Sequence, residues 1–174
     1  MNEIAAEVVR KLAARSKTLV TAESCTAGLV AGAIAAIPGA SKVLWGGFIT
    51  YMADAKTSML GVDEAVIRRF GAASGETAAA MARGALEHSA ADMSVAVTGL
   101  AGPGGDGGST PVGEVWTALA IREKESVSLV RTANFHFEGH RNEVRLRAVE
   151  TVLQQIAAFL DERQCSNNGK NTKT

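Results

Sequence analysis

The sequence predicts an α/β chain: a three-layer α/β/α sandwich built on a mixed β-sheet, in a single domain. Three observations predict it. Apolar residues recur at helical spacing near both ends, at Ile4, Val8 and Leu12 and again at Val149, Val152, Leu153, Ile156 and Leu160, so each end carries an amphipathic helix suited to covering a sheet. Between them, β-branched runs alternate with alanine-rich ones, as in parallel strands joined by helices. Near the end of that stretch, two strand-like runs flank a charged turn, which reads as an antiparallel hairpin and makes the sheet mixed. With 174 residues, 47 % of them hydrophobic, the chain can bury one core. The domain is expected over residues 1–162, with a disordered polar tail at 163–174 (the last part of it QCSNNGKNTKT).

The elements follow in order from pattern and punctuation. Residues 18–22 read as a short strand, 26–37 as a small-residue helix and 47–51 as a second strand. Helical pieces follow at 54–60, 63–70 and 75–90, then a buried strand at 93–98 and the hairpin strands 114–122 and 127–137. The connection from Ala101 to Gly113 holds six of the 18 glycines and two of the three prolines, so it is a loop with special backbone geometry. The apolar, alanine-rich helix at 77–91 could serve as a homodimer face or pack on the sheet, and the sequence leaves both open.

Charge and cysteine usage exclude several classes. A net charge of zero, with two tryptophans and one tyrosine for base stacking, argues against a nucleic-acid partner, and it offers no attraction to an anionic membrane. The longest apolar stretches are too short to span a bilayer, and MNEIAAEVVRKLAARS lacks the apolar block of a signal peptide, so a cytoplasmic location is expected. Two cysteines, Cys25 and Cys165, cannot form a disulfide framework, and no Cys/His spacing resembles a zinc site; no metal is expected.

Chemistry concentrates in TAESCTAGLVAG, residues 21–32, where a strand gives way to a helix. Ser24 there has two readings. It can cap the helix, or it can act as a nucleophile whose oxyanion is held by N–H groups of the first helical turn, near Cys25 and Thr26. Cys25 is a competing nucleophile, because thiols at helix N-termini have lowered pKa values; a buried, inert thiol is the alternative. Gly28, like Gly32, leaves room for close approach of a ligand or of the sheet. A serine needs a base, and none of His88, His136 and His140 has a spacing that identifies it as one. Lys56, five residues after Tyr51, can accept a proton if desolvated; otherwise it is a solvated surface lysine. Tyr51 closes the strand FITY and either joins the chemistry or packs its ring.

TGLAGPGGDGG, from Thr98 on, can cradle a phosphate with successive N–H groups, or be a plain connection. It is no dinucleotide fingerprint, because it runs on through STPVGEV into a strand rather than a helix. Arg141, Arg145 and Arg147 lie at the start of the last helix, where cations oppose the dipole; that favours a ligand-binding purpose for at least Arg141.

Five blocks together, AESCTAG (22–28), GGFITYMADAKTSMLGV (46–62), GAASGETAAAMARGAL (71–86), TGLAGPGGDGGSTPVGEVW (98–116) and FEGHRNEVRLRAV (137–149), resemble the C-terminal domain of the competence/damage-inducible protein CinA, a family also found as stand-alone nicotinamide-nucleotide amidases. The resemblance covers roughly residues 5 to 160. It implies hydrolysis of the carboxamide of a small-molecule nucleotide, nicotinamide mononucleotide, to nicotinate mononucleotide and ammonia in pyridine-nucleotide recycling, with no cofactor. It puts the nucleophile at Ser24, with Tyr51 and Lys56 as its catalytic companions. The nucleotide would be bound by Thr98, Gly99, Ala101, Gly102, Pro103, Gly105 and Arg141. The family's usual ESCTGG reads ESCTAG here and its YSNxxK reads YMADAK, departures that leave Ser24, Tyr51 and Lys56 in place. The resemblance includes no molybdopterin-binding-like domain, so the pyrophosphatase activity associated with that domain is not expected. The competing expectation is a non-catalytic nucleotide-sensing or protein-interaction module. The two differ at Lys56: desolvated and within reach of Ser24 for an enzyme, solvated for a module.

Overall fold

The computed structural model describes residues 1–105, 107, 110–123 and 126–168. Helix α1 (Asn2–Ala13) leads into β1 (Leu19–Glu23), α2 (Leu29–Ala35), a 3-10 turn at Ala40–Lys42, β2 (Leu44–Ile49), α3 (Ala53–Leu60), α4 (Glu64–Phe70) and α5 (Gly75–Glu87). Then come β3 (Met93–Gly99), β4 (Glu114–Glu123), β5 (Ser126–His136) and α6 (Arg141–Asn168). The five strands form one sheet in the order β2-β1-β3-β4-β5. β1 runs parallel to β2 and β3, whereas β4 runs antiparallel to both of its neighbours, β3 and β5, so the sheet is mixed as the sequence predicts.

Side chains alternate across each strand and so divide the core in two. Leu19, Val95, Val97, Val115 and Leu119 face α1, α2 and α6, whose Val8, Leu12, Ile34, Val152 and Ile156 complete one apolar layer. Val20, Ala22, Ala96, Ala118 and Ala120 face α5, which answers with Ala78, Met81, Ala82 and Ala85. Alanine against alanine lets α5 lie close to the sheet. The alanine-rich helix therefore packs on the sheet. Closeness extends to α3: a Cβ on Gly84 would stand 1.9 Å from the Leu60 carbonyl oxygen. Gly84→Ala is expected to destabilise the fold by about 2–3 kcal/mol, read as a lower urea midpoint; an unchanged midpoint would mean that α3 can back away from α5.

Several boundaries differ from expectation, among them the starts of β2 and α2 and the end of α6. β2 starts at Leu44 rather than Gly47, because Gly46 and Gly47 pair in register with Val20 and Thr21 instead of turning. α2 starts at Leu29 rather than Thr26, for a reason given below. α6 runs on to Asn168, where a disordered tail is expected from residue 163. No glycine or proline interrupts the chain before Gly169, and each further helical residue adds a hydrogen bond for little cost. The expected tail beyond it, residues 169–174, lies outside the described residues. Among the described residues, no helix is long and apolar enough to cross a membrane.

Topology also places a crevice. From β1 the chain crosses through α2 to β2 on one side, while β3 lies on the other, so the connections leaving the carboxyl ends of β1 and β3 diverge. Ligands in open α/β sheets bind at such switch points.

Candidate active site

Ser24 follows directly on β1 and is 7 % exposed, its N–H donating to the Val97 carbonyl at 2.9 Å. It does not cap α2. The four residues after it make a turn in which Ala27 (φ 51°) and Gly28 (φ 91°) are left-handed, so the helix opens only at Leu29 with Gly28 as its N-cap. The capping is done by Glu23. Its fully buried carboxylate accepts from Thr26 Oγ1 (2.7 Å), Gly28 N (2.9 Å) and Val30 N (3.1 Å) through one oxygen and from Ala31 N (2.9 Å) through the other. The first helical turn, expected to hold an oxyanion, thus already holds an anion of the protein's own.

Lys56 lies in the first turn of α3 and is 1 % exposed. Its position follows from how the strand ends: Thr50 N–H donates to the Glu23 carbonyl at 2.8 Å, keeping the end of β2 beside the end of β1, and α3 starts three residues later. Nζ then reaches the Ser24 hydroxyl at 3.0 Å and the Thr50 carbonyl at 2.8 Å. Among the described residues, no carboxylate pairs with it. Burial without a counter-ion lowers its pKa from 10.5 to about 8, a shift that the neighbouring Cys25 partly offsets. Cys25 moves the opposite way. Burial raises its thiol to about 11 despite the N–H groups of Cys25 and Thr26 and the charge of Lys56, so the thiol is protonated at neutral pH and the expectation of a competing nucleophile falls.

A cavity of about 250 Å³ opens over this pair. Of the predicted residues, Ser24, Cys25, Tyr51, Lys56, Thr98, Gly99, Ala101, Gly102 and Arg141 line it, joined by Ala72, Ala73, Leu100 and Gly104. Thr26, Gly28, Pro103 and Gly105 are not part of the lining: Thr26 is fully buried with its hydroxyl on Glu23, Gly28 is the cap of α2, and Pro103 and Gly105 are exposed on either side of Gly104. Asp106, Gly108 and Ser109 of the glycine loop lie outside the described residues. Thr98 Oγ1 donates to the Ala72 carbonyl at 2.8 Å and so ties the loop before α5 to the end of β3. Tyr51, expected next to Ser24 as an aid to proton transfer, lines the same cavity. It is 49 % exposed, and its hydroxyl accepts from Arg141 Nη2, while Arg141 Nη1 donates to the Gly102 carbonyl at 2.7 Å.

A larger cleft, of about 860 Å³, lies at the other end of the sheet between α1, β4 and α6. Most of its cations are engaged: Lys11 with Glu7 and Asp161, Lys17 with Asp92, Arg163 with Glu123, and Arg122 with the carbonyls of Leu86, Ser89 and Ala91.

Two features escaped sequence reasoning. Glu23 stood in the polar cluster and went unassigned, although a lone acid just before a small-residue helix is the signal for an N-terminal carboxylate. Arg145 was grouped with its neighbours, yet it alone grips the Ser24 turn, donating to the Cys25 carbonyl at 3.0 Å and the Thr26 carbonyl at 3.1 Å.

The CinA C-terminal domain family model matches residues 1–160. A CinA-like protein of Akkermansia muciniphila is 46 % identical over 157 residues, and one of Chlorobium limicola is 40 % identical over 155; the matches cover 90 % and 89 % of this chain and 36 % of each relative. The chain thus spans about a third of the length of those curated relatives. Among solved structures, the competence/damage inducible protein CihA of Agrobacterium tumefaciens superposes with a TM-score of 0.84 at 42 % identity, covering 92 % of this chain and 94 % of that one. A CinA superfamily protein of Escherichia coli gives 0.83 at 37 % identity, covering 89 % and 87 %. By sequence over nearly its whole length and by fold, the chain belongs to the CinA C-terminal domain family.

Proposed function

We propose that the chain is a serine amidase that hydrolyses the carboxamide of nicotinamide mononucleotide to nicotinate mononucleotide and ammonia, a step in pyridine-nucleotide recycling. The observation that carries the reaction class is the buried Lys56 ammonium group 3.0 Å from the Ser24 hydroxyl, with no carboxylate among the described residues to hold its charge. A sensing module has no use for a desolvated lysine on a serine. The substrate reading rests on the resemblance of the five sequence blocks to those of nicotinamide-nucleotide amidases. It is supported by a cationic side chain, Arg141, at the mouth beside the glycine loop, where a phosphate would sit.

Neutral Lys56 takes the Ser24 proton as Oγ attacks the carboxamide carbon. The protonated lysine then gives that proton to the departing nitrogen, ammonia leaves, and an acyl-serine remains. Water attacks the acyl carbon and gives a proton to Lys56, which returns it to Ser24 as the carboxylate is released. No histidine lines the cavity, so Lys56 serves as base and acid in turn.

The test is ammonia release from nicotinamide mononucleotide by the wild type and by Ser24→Ala, with nicotinamide riboside as the control that lacks the phosphate. A loss of at least ~10³-fold in the mutant, and poor turnover of the riboside, is the expected result. A folded wild type that binds the mononucleotide without releasing ammonia would overturn the amidase reading in favour of a sensing module.

A further inference from the structure

With Glu23 on the N-terminus of α2, the oxyanion of a Ser24 adduct needs donors from elsewhere, and the geometry of the turn supplies them. The N–H groups of Cys25 and Thr26 donate to no backbone acceptor among the described residues. Both lie close enough to the Cys25 sulfur to influence it, and Cys25 is among the residues that line the cavity. Their direction is set from behind. The peptide between Cys25 and Thr26 is trans, since Gly102–Pro103 is the cis bond among the described residues, and in a trans peptide C=O and the next N–H point to opposite sides. Arg145 Nε draws the Cys25 carbonyl toward α6, which turns the Thr26 N–H away from α6. Arg145 Nη2 holds the Thr26 carbonyl likewise, and the Ala27 N–H of that same peptide donates to the Ser24 carbonyl at 3.1 Å, closing the turn. Asn142 Oδ1 accepts from the remaining nitrogen, Nη1, at 3.2 Å, so the guanidinium cannot swing.

We propose that Arg145 is a positioning residue that aims the Thr26 N–H group at the oxyanion directly, by holding the Cys25 carbonyl from the helix α6 side, and the Cys25 N–H group indirectly, through the Thr26 carbonyl and the Ala27 N–H that grips the Ser24 carbonyl. The inference deepens the serine-amidase reading and rests on it. A lysine in its place would reach one carbonyl with a point charge and leave the other peptide free to rotate. Arg145 touches no substrate, and its loss should lower the rate of attack by Ser24 without moving the base.

The experiment reads Ser24 directly. Diisopropyl fluorophosphate forms an O–P bond with Ser24 Oγ as the P–F bond breaks; fluoride leaves, the serine proton passes through Lys56 to solvent, and the phosphoryl oxygen takes the oxyanion position. Labelling rates are followed by mass spectrometry from about pH 6 to 10, across the ordinary titration of a lowered lysine. Wild type, Arg145→Ala and Arg145→Lys are compared alongside ammonia release from nicotinamide mononucleotide. Both variants are expected to label roughly 10- to 100-fold more slowly than the wild type. The pH at half-maximal rate should not move, and guanidinium ion added to Arg145→Ala should restore part of the rate, which a merely structural tether would not produce. Rates within about twofold of the wild type for either folded variant would overturn the proposal. So would a displaced pH inflection, which would place Arg145 in the tuning of Lys56 instead. A wild type that labels at Ser24 but releases no ammonia from the mononucleotide would sink the substrate reading alone and leave Arg145 to be judged by the labelling rates. A wild type that neither labels nor hydrolyses would sink both.

Discussion

Lys56→Ala is expected to lower kcat for the carboxamide by at least ~10²-fold, the loss typical of a removed general base, while the KM for nicotinamide mononucleotide changes little. A serine hydroxyl is a poor nucleophile without a base, and Lys56 is the group within hydrogen-bond reach of Ser24 Oγ that can become one. The lysine must be neutral to accept the proton. Its pKa stands near 8, so kcat/KM should rise with pH through about 8 and level off above it. A pH-independent rate between 6 and 10, or a Lys56→Ala enzyme with near-normal turnover, would remove the lysine from the mechanism. The same shift has a stability signature whose sign is fixed. Folding depresses this pKa, so from about 8 up to 10.5 the unfolded chain binds the extra proton and the folded wild type gains stability as pH rises. Below about 8 both states are protonated, and the full cost of the buried ammonium is present. Lys56→Met, which removes that cost, should compare most favourably with the wild type below pH 8 and lose its relative advantage toward pH 10.5, as read by paired urea titrations.

That lysine shows what the sequence reveals and what it withholds. Periodicity suffices for α1 and α6, whose apolar stripes are the faces buried on the sheet, and for β3, β4 and β5, where β-branched residues alternate with small ones. The pattern of alternating elements with a final hairpin was enough for a mixed sheet in three layers. Local pattern fails where a distant group decides the backbone. Residues 26–28 look helical, and they stay out of the helix because Glu23, buried under the turn, draws their donors into a left-handed bend. At the site, chemistry could be read residue by residue, so Ser24 and Lys56 were both nameable, but their separation of 32 positions along the chain hides that they touch. Their meeting depends on the pairing of β2 with β1, a register that no motif spells out. For the same reason no motif shows that the hydroxyl of Tyr51 meets Arg141, 90 positions further along the chain.

Glu23→Ala should be the most destabilising single change at the site, lowering stability by at least ~3 kcal/mol in urea denaturation. The carboxylate is fully buried and accepts four hydrogen bonds, three of them from backbone N–H groups that nothing else is placed to satisfy. Alanine would leave those donors orphaned in a site closed to water, each at a cost of roughly 1–3 kcal/mol. Glu23→Gln fills the same space but turns one acceptor into a donor, so either Ala31 N–H or the Thr26, Gly28 and Val30 group loses its partner. A loss of roughly 1–3 kcal/mol is expected there. A Glu23→Ala protein within about 1 kcal/mol of the wild type would show that the turn holds its shape without the acid. The reason for placing a buried acid one residue before the nucleophile is electrostatic. An unoccupied N-terminus of α2 would attract any anion in the crevice, the phosphate or carboxylate of a ligand included, to the wrong place. Satisfied from within by Glu23, it is closed to such an anion, and the bend that Glu23 shapes is the one whose Cys25 and Thr26 carbonyls Arg145 holds from behind.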